Sequence, residues 1–268
     1  MTAQPSSAAS DSLLLRQDRD GVATLTLNRP AQRNALSVGL MTALQAELDR
    51  IKDDHSVKVV VIAGNGPGFC GGHDLKEMRA NPGRQSYEAL FQQCSRLMMS
   101  IVRLPKPVIA RVHAVAAAAG CQLVATCDLA VAAESARFAV NGVNIGLFCS
   151  TPMVALSRAI PRKPAMEMLL TGDLIDARTA LAHGLVNRVV PDGELDVAIA
   201  ELCGKIVAKS PYVLAIGKEA FYRQAEMGLE QAYAYASQVM ATNMQARDAE
   251  AGIDAFIAKR PMPDWQGR

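Results

Sequence analysis

A glycine-rich segment has a spacing that could bind phosphate. Gly66, Gly68 and Gly71 match G-x-G-x-x-G, the turn between a strand and a helix whose N-terminus holds a dinucleotide pyrophosphate. Pro67 lies inside this segment, helix-like sequence resumes only around Asp74, and no acidic residue ends a second strand about 20 residues further on. Because the same glycines suit a tight turn at a sheet edge, a dinucleotide site and a structural turn remain alternatives.

Cysteines and histidines are spaced without a metal-binding pattern. They are Cys70, Cys94, Cys121, Cys127, Cys149 and Cys203, and His55, His73, His113 and His183. No C-x-x-C pair and no H-x-x-x-H or H-x-E arrangement occurs among them. We therefore expect reduced, apolar cysteines and no metal site.

The composition is that of a globular protein with a sizeable core. The chain has 268 residues, of which 50% are hydrophobic and 20% are charged. A formal charge of +2 and only 4% aromatic residues argue against a nucleic-acid surface. No apolar run reaches the roughly 18–20 residues that span a bilayer, and the first dozen residues lack the pattern of a signal peptide. We predict a cytoplasmic protein with a disordered tail over residues 1–12 and neither nucleic acid nor membrane as a partner.

Up to about residue 150, apolar periodicity predicts alternating strands and helices. Ser37 is placed to cap a helix, and the continuous apolar run 57–63 predicts a buried parallel strand. The other predicted strands are 13–17, 22–28, 107–112, 128–133 and 137–140, and predicted helices include 84–103 and 117–125.

Beyond residue 150 the sequence predicts almost only helices. Their ranges are 151–160, 164–170, 176–183, 195–208, 211–226, 229–246 and 248–259. We therefore predict an α/β core over residues 13–200 and a helical C-terminal region over residues 201–268.

Several motifs, in order along the chain, resemble the enoyl-CoA hydratase/isomerase (crotonase) family. The segment Phe69-Cys70-Gly71-Gly72-His73-Asp74-Leu75-Lys76-Glu77-Met78 resembles the family pattern F-x-x-G-x-D-[LI]-x-E-[ML]. Other matching segments are Leu27-Asn28-Arg29-Pro30, Arg33-Asn34-Ala35-Leu36-Ser37, Pro105-Lys106-Pro107-Val108-Ile109-Ala110, Gly120-Cys121-Gln122-Leu123, Cys127-Asp128, His183-Gly184-Leu185-Val186 and Lys259-Arg260-Pro261. The resemblance extends from residue 13 to residue 261, and residues 147–159 resemble one subgroup of the family in particular.

This resemblance implies a fold and a substrate class. The fold would be a crotonase-like (ClpP/crotonase) α/β spiral of β-β-α units with a helical C-terminal trimerisation region. The protein would bind an acyl-CoA thioester as a homotrimer or a dimer of trimers, and it would need no cofactor beyond the CoA moiety of the substrate.

Family members hold the thioester so that two backbone N–H groups point at its carbonyl oxygen. By position, the resemblance assigns these donors to His73 and Ala119. The second position is usually glycine, so the methyl group of Ala119 would narrow the space. From the residues alone, the alanines at 116–119 would equally suit close helix packing, since alanine is the best helix former.

Hydratases of the family activate water and protonate Cα with two glutamates. The corresponding positions here are Gln122 and Gly142. An amide cannot take a proton near neutral pH and glycine has no side chain, and the loss of such groups typically costs about 100- to 10,000-fold each. Efficient hydratase activity is therefore not expected.

Other side chains near these positions could supply chemistry. Asn144 and Cys149 lie on the segment that approaches the acyl group in relatives, and His73 belongs to the loop that carries the first N–H donor. Cys149 suits a reduced core cysteine equally well, and for His73 the backbone alone would suffice. Asp74 and Asp128 are interpreted as local capping or hydrogen-bonding groups.

The resemblance also implies a set of residues that bind CoA. These are Gln32, Arg33, Ala35 and Lys76, together with Phe256 and Lys259 from a neighbouring subunit. A lysine is a suitable point charge for phosphates, although each of these charges would also be ordinary on a solvated surface.

Two functions of different classes remain. The first is an enzyme that acts on an acyl-CoA thioester by isomerisation, slow hydration, decarboxylation or thioester cleavage. The second is a non-catalytic acyl-CoA-binding or regulatory oligomer that has the scaffold without the two glutamates.

Overall fold

Strands and helices alternate along the chain, of which a computed structural model describes residues 12–268. Over these residues the strands are β1 (Leu14–Arg19), β2 (Val22–Leu27), β3 (Val59–Gly64), β4 (Gly68–Cys70), β5 (Val108–Val112), β6 (Val115–Ala117), β7 (Leu129–Ala133), β8 (Arg137–Ala139), β9 (Ile175–Asp176) and β10 (Arg188–Val190). The helices are α1 (Val38–Asp53), α2 (Leu75–Ala80), α3 (Arg84–Arg103), α4 (Ala119–Thr126), α5 (Pro152–Ala159), α6 (Arg162–Thr171), α7 (Ala177–His183), α8 (Leu195–Val207), α9 (Pro211–Gln224), α10 (Leu229–Met244) and α11 (Arg247–Ile257). The predicted strands and helices are confirmed with boundary shifts of at most two residues. The disordered tail predicted for residues 1–12 lies, apart from Ser12, outside the described residues.

Three β-β-α units follow one another in the centre of the chain. Each gives one strand to a large sheet, one strand to a small sheet and then a helix, as in β3-β4-α2, β5-β6-α4 and β7-β8-α5. The large sheet has the order β1-β2-β3-β5-β7-β10 and the small sheet β4-β6-β8-β9, and strands of successive units pair in parallel in both. The predicted spiral fold is therefore confirmed.

The large sheet is buried on both faces, which explains the continuous apolar run of β3. Val60 and Ile62 point into a core formed with α1 and α3. Val59 and Val61 point to the opposite face and pack with α8. Parallel strands covered by helices on both sides need apolar residues at every position.

Of the small sheet, the sequence predicted only β8, because β4, β6 and β9 have two or three residues and show no periodic pattern. Strand β4 lies in the segment predicted as a glycine-rich turn, and β6 directly precedes α4. The glycine segment thus enters a strand at Gly68 rather than a helix N-terminus, so the dinucleotide-binding alternative is wrong. Both strands instead lead to the two loops of the candidate site.

A buried ion pair joins α9 to the core. Lys218 Nζ lies 2.6 Å from Asp128 Oδ2 and also donates to the carbonyls of Ile101 and Lys106. Asp128 further accepts hydrogen bonds from Tyr222 Oη at 2.9 Å and from a backbone N–H of β5. The interpretation of Asp128 as a hydrogen-bonding group is confirmed, but its partners are not local, since they are 20 to 94 residues away.

The chain passes from the α/β core into the helical C-terminal region within a helix, without an intervening linker. The predicted boundary at residue 200 lies inside α8. Among residues 12–268, no helix is both long enough and apolar enough to cross a membrane.

Candidate functional site

The backbone N–H of His73 points away from the neighbouring loop. Leu36 pairs with His73 in parallel fashion, since the N–H of Leu36 donates to Gly72 O at 2.7 Å and Asp74 N donates to Leu36 O at 3.3 Å. In such a pairing the groups of the central residue face the opposite side. Within residues 12–268, His73 N–H has no hydrogen-bond acceptor.

A second free N–H belongs to Ala119, the first residue of α4. The first N–H groups of a helix have no acceptor within the helix, and none is found for Ala119 elsewhere in the described chain. Ala118 precedes it with φ of 48° and ψ of −116°, a backbone conformation that L residues rarely adopt. This residue is held by its own N–H, which donates to Ala139 O at 2.8 Å.

The two loops meet at Gly72. This glycine has φ of +99°, and a Cβ added to it would lie 3.0 Å from Ala118 Cβ and 3.5 Å from Ala119 N. The residue before His73 therefore lies directly against the start of α4. Two unpaired N–H groups at neighbouring loops, one at a helix N-terminus, are suited to bind an oxygen that carries negative charge.

Tight packing fixes the start of α4 against the small sheet. A Cβ added to Gly120 would overlap the carbonyl oxygen of Cys70 in β4. A glycine is thus required at this close approach between helix and strand.

Gln122 is buried one turn into α4, where its exposed fraction is 4%. Its Oε1 lies 3.9 Å from the Cys94 thiol of α3, which donates to it. Burial raises the pKa of Cys94 to about 12, so this thiol stays protonated. Neither group is a base near neutral pH.

Gly142 lies in a short 3-10 turn, and the space beside it is full. A Cβ added to it would overlap the Leu147 carbonyl oxygen and lie 2.9 Å from Cys149 Sγ. The Gly142 N–H donates to that sulfur at 3.3 Å. The chain has folded back over the space that any side chain at residue 142 would need.

Asn144 and Cys149 hold this turn in place. Asn144 Nδ2 donates to Gly172 O at 3.2 Å, which ties the turn to the end of α6. Burial raises the pKa of the Cys149 thiol, so it is a poor nucleophile at neutral pH. The structure thus gives both side chains structural partners, and all six cysteines are free and buried.

The His73 imidazole packs edge-to-face against Phe91 of α3, with ring centroids 5.5 Å apart and an interplanar angle of 75°. Both ring nitrogens are shielded from solvent, and neither makes a hydrogen bond of good geometry among residues 12–268; the Leu36 backbone lies close enough to the ring to act on its pKa. Burial lowers the pKa of His73, so the ring is neutral at pH 7.

An ion pair that was not predicted orders the loop around His73. Arg29 Nη2 lies 2.9 Å from Asp74 Oδ2, and Arg29 Nη1 donates to Ala35 O at 2.6 Å. Asp74 also caps α2 by accepting from two backbone N–H groups, which confirms its interpretation as a cap. Because Arg29 and Asp74 are 45 residues apart, no local sequence signal reveals their contact.

The residues expected to bind CoA fall into two groups. Gln32, Arg33 and Ala35 lie on the loop that runs along β4, where Gly71 N donates to Arg33 O at 2.9 Å, and Lys76 lies in the adjacent first turn of α2. Phe256 lies in the last turn of α11, which packs against α9 and α10, and Lys259 follows two residues after the helix ends. Phe256 is 75% exposed, so within one chain it has little contact with the first group.

No metal site accompanies these groups in the described part of the chain. Nowhere in residues 12–268 do three His, Cys, Asp or Glu side chains converge so that they could hold a metal ion.

Comparisons with known proteins give a consistent result. The model of the enoyl-CoA hydratase/isomerase family matches residues 17–268. Human enoyl-CoA hydratase domain-containing protein 3, mitochondrial, is 48% identical over 246 residues, which cover 92% of this chain and 81% of the human protein. The 2,3-dehydroadipyl-CoA hydratase of Escherichia coli is 36% identical over 97% of this chain and 100% of its own.

Solved structures agree in fold. An enoyl-CoA hydratase from Mycobacterium smegmatis superposes with a TM-score of 0.93 and 55% identity, covering 95% of this chain and 99% of the other. The structure of human enoyl-CoA hydratase domain-containing protein 3 superposes with a TM-score of 0.92 and 46% identity, covering 95% and 100%. The subgroup that residues 147–159 resemble is the one to which this human protein belongs, so that prediction is confirmed.

The predicted cellular location is wrong. The relatives from human, rat and mouse are named mitochondrial proteins, which contradicts the predicted cytoplasmic location. Composition and charge describe a folded, water-soluble surface, and such a surface is the same in either compartment.

Proposed function

The chain belongs to the enoyl-CoA hydratase/isomerase family, and from this membership we propose that it binds an acyl-CoA thioester and polarises the thioester carbonyl with the backbone N–H groups of His73 and Ala119. The observation that carries the proposal is that both N–H groups are unpaired and lie on loops in contact at Gly72. No cofactor beyond the CoA moiety enters the proposal.

The two N–H groups would act on the charge of the carbonyl oxygen. An enolate or tetrahedral intermediate places negative charge on this oxygen, and donors already fixed by the backbone stabilise that charge without reorganisation. The N-terminus of α4 adds a partial positive charge at the same point. The methyl group of Ala119 narrows the pocket and leaves the donor in place.

The missing carboxylates restrict the reaction. With Gln122 and Gly142 at the positions of the two glutamates, no side chain there activates water or delivers a proton. We therefore propose a reaction other than efficient hydration, such as isomerisation, decarboxylation or thioester cleavage. The alternative is a non-catalytic acyl-CoA-binding or regulatory oligomer, which the absence of both carboxylates equally favours.

The CoA moiety would lie along the loop that contains Gln32, Arg33 and Ala35, with Lys76 near its phosphates or adenine. Phe256 and Lys259 would come from a neighbouring subunit of a homotrimer or a dimer of trimers. The exposure of Phe256 supports this, because its ring has no place in the core of its own chain.

Two CoA derivatives that differ only at the carbonyl test the proposal. Butyryl-CoA carries the thioester oxygen, whereas the thioether S-butyl-CoA lacks it, so their affinity ratio in calorimetry reports the N–H donors. We expect the thioester to bind at least tenfold more tightly, since a site built for an oxygen leaves two donors unpaired when the oxygen is missing. Equal affinities would contradict the role of His73 and Ala119.

Turnover separates the enzyme from the binder. Purified protein is incubated with trans-2-enoyl-, trans-3-enoyl-, malonyl- and saturated acyl-CoA, and the products are identified by mass spectrometry. A non-catalytic binder would raise the melting temperature with acyl-CoA while leaving every thioester unchanged. Hydration at a rate typical of hydratases would show that other side chains replace the two glutamates.

A further inference from the structure

The imidazole of His73 is left without a partner beside the proposed carbonyl site. We infer that this side chain is a third hydrogen-bonding group of the acyl pocket, and that it selects acyl groups carrying an oxygen function within two carbons of the thioester carbonyl. This inference rests on the proposed function and concerns the side chain, whereas that proposal uses only the backbone of His73.

The ring nitrogens provide the first argument. Both Nδ1 and Nε2 are shielded from solvent, and neither makes a hydrogen bond of good geometry among residues 12–268, although the Leu36 backbone lies near enough to oppose the lowering of the His73 pKa. Buried polar atoms in folded proteins almost always have a partner, and an atom without one calls for an explanation such as a ligand. A neutral imidazole has one donor and one acceptor, so a bound oxygen function can satisfy at least one of them.

Position provides the second argument. The ring belongs to the same residue as the first proposed N–H donor. An oxygen that accepts from this N–H therefore lies near the side chain of the same residue. Phe91 fixes the ring from the α3 side by an edge-to-face contact. The polar atoms of the imidazole are therefore held in place before a ligand arrives, which favours selectivity.

The charge of the surroundings provides the third argument. About one turn along α3 from Phe91, the protonated thiol of Cys94 donates a hydrogen bond to the neutral amide of Gln122. At the positions where relatives have two glutamates, this chain therefore has no negative charge. A hydroxyl, keto or carboxylate substituent on the acyl group meets hydrogen-bonding groups there without repulsion.

Matched acyl-CoA ligands test this inference by calorimetry. The reference is butyryl-CoA, and the oxygenated ligands are 3-hydroxybutyryl-CoA, acetoacetyl-CoA and methylmalonyl-CoA, which separate a hydroxyl, a keto and a carboxylate oxygen. In the wild-type protein we expect at least one of the three to bind about tenfold more tightly than butyryl-CoA, the gain of one well-formed hydrogen bond.

Three variants show whether the ring causes the preference. In His73→Leu the backbone N–H remains and the ring nitrogens are gone, so the affinity ratio of oxygenated to plain ligand should fall to about one. His73→Gln restores a donor and an acceptor and should recover part of the ratio. His183→Gln at the end of α7 is the matched control, because His183 also has an unpartnered ring nitrogen and should leave the ratio unchanged.

A second readout observes the ring itself. The ¹⁵N shifts of the His73 nitrogens should move when the preferred ligand binds and stay in place with butyryl-CoA. Equal affinities of all four ligands for the wild type, or an unchanged ratio in His73→Leu, would overturn the inference while leaving the proposed function intact. Failure to bind any acyl-CoA, butyryl-CoA included, would overturn both.

Discussion

The backbone around Gly142, which we propose to stand at the position of a catalytic carboxylate, fills the space that a side chain there would need. Since an added Cβ would overlap the Leu147 carbonyl and press on Cys149 Sγ, we expect Gly142→Ala to destabilise the protein by about 1–3 kcal/mol, the usual cost of overpacking a rigid site. Urea unfolding at fixed protein concentration measures this change.

A glycine with free space serves as the control. No atom lies within 4 Å of a Cβ added to Gly204 in α8, so Gly204→Ala should stabilise the protein by about 0.5–1 kcal/mol through its better helix propensity. For the same steric reason, the double variant Gln122→Glu/Gly142→Glu should fail to gain hydratase activity. A stable, active double variant would show that the turn opens readily.

The ion pair of Arg29 with Asp74 predicts a pH dependence. The Arg29 guanidinium holds the pKa of the Asp74 carboxyl below its ordinary value. This carboxylate therefore stabilises the fold above its unfolded pKa of about 3.9, and the contribution is lost as the pH falls through the lower folded pKa. At pH 7, Asp74→Asn keeps the helix cap and should lose about 1.5 kcal/mol from the charged hydrogen bond.

Measuring the free energy of unfolding at several pH values tests the direction of this pH dependence. The difference between wild type and Asp74→Asn should be largest near pH 7 and shrink below about pH 4. Asp196→Asn is the control, because the Asp196–Arg111 pair is largely exposed on the aspartate side and should contribute less than about 0.5 kcal/mol. A stability difference between wild type and Asp74→Asn that grows as the pH falls would show that Arg29 is not what lowers the pKa of Asp74.

For the candidate site, the sequence proposed the positions of residues and did not predict the side chains that they contact. The resemblance identified His73, Ala119, Gln122 and Gly142, and the structure places the first two on adjoining loops. The contacts of His73 with Phe91 and of Gln122 with Cys94 were not predicted, because each joins residues at least 18 positions apart through tertiary packing.

At the scale of secondary-structure elements, long strands and helices were predicted from the sequence better than short ones. Long elements have patterns that a sequence displays, such as the apolar run of β3 or the Ser37 cap of α1, whose hydroxyl accepts from Leu40 N. Strands β4, β6 and β9 have two or three residues, and only their pairing across the spiral makes them strands. Apart from β8, the strands of the small sheet that positions both site loops therefore show no periodic pattern in the sequence.

A buried charge pair attaches α9 to the core. Lys218 and Asp128 have side-chain exposures of only 7% and 15%. Lys218→Met should therefore lower the free energy of unfolding by about 3–5 kcal/mol, because it leaves the Asp128 carboxylate buried without its countercharge. Adding Asp128→Asn to this variant should restore part of the loss, which a double-mutant cycle measures.

An exposed pair on the same helix is the control for this prediction. Glu219 and Arg223 form an i,i+4 pair at the surface of α9. Arg223→Gln should leave the unfolding midpoint unchanged, since such pairs are strongly screened by solvent. Similar losses of unfolding free energy for Lys218→Met and Arg223→Gln would mean that the buried position of the Lys218–Asp128 pair is not what stabilises the attachment of α9.

At the scale of the whole molecule, the C-terminal helices expose several large apolar side chains. Its largest contributors on α9, α10 and α11 are Phe221, Leu229, Tyr233, Met240, Phe256 and Ile257. Where exposed apolar side chains of neighbouring helices adjoin, they mark an interaction site. This agrees with the proposal that α11 gives Phe256 and Lys259 to another subunit.

The double variant Leu229→Asp/Tyr233→Asp tests this assembly and its link to CoA binding. The two side chains are 76% and 71% exposed and stand one turn apart on α10, so the substitutions should leave the fold of one chain intact while preventing its association. Light scattering should show a smaller particle with unchanged helix content by circular dichroism. If Phe256 and Lys259 reach the site of a neighbour, this variant should lose as much CoA affinity as Phe256→Ala/Lys259→Ala, although every residue of its own site is present. A dissociated variant with wild-type affinity would show that one chain completes the CoA site by itself.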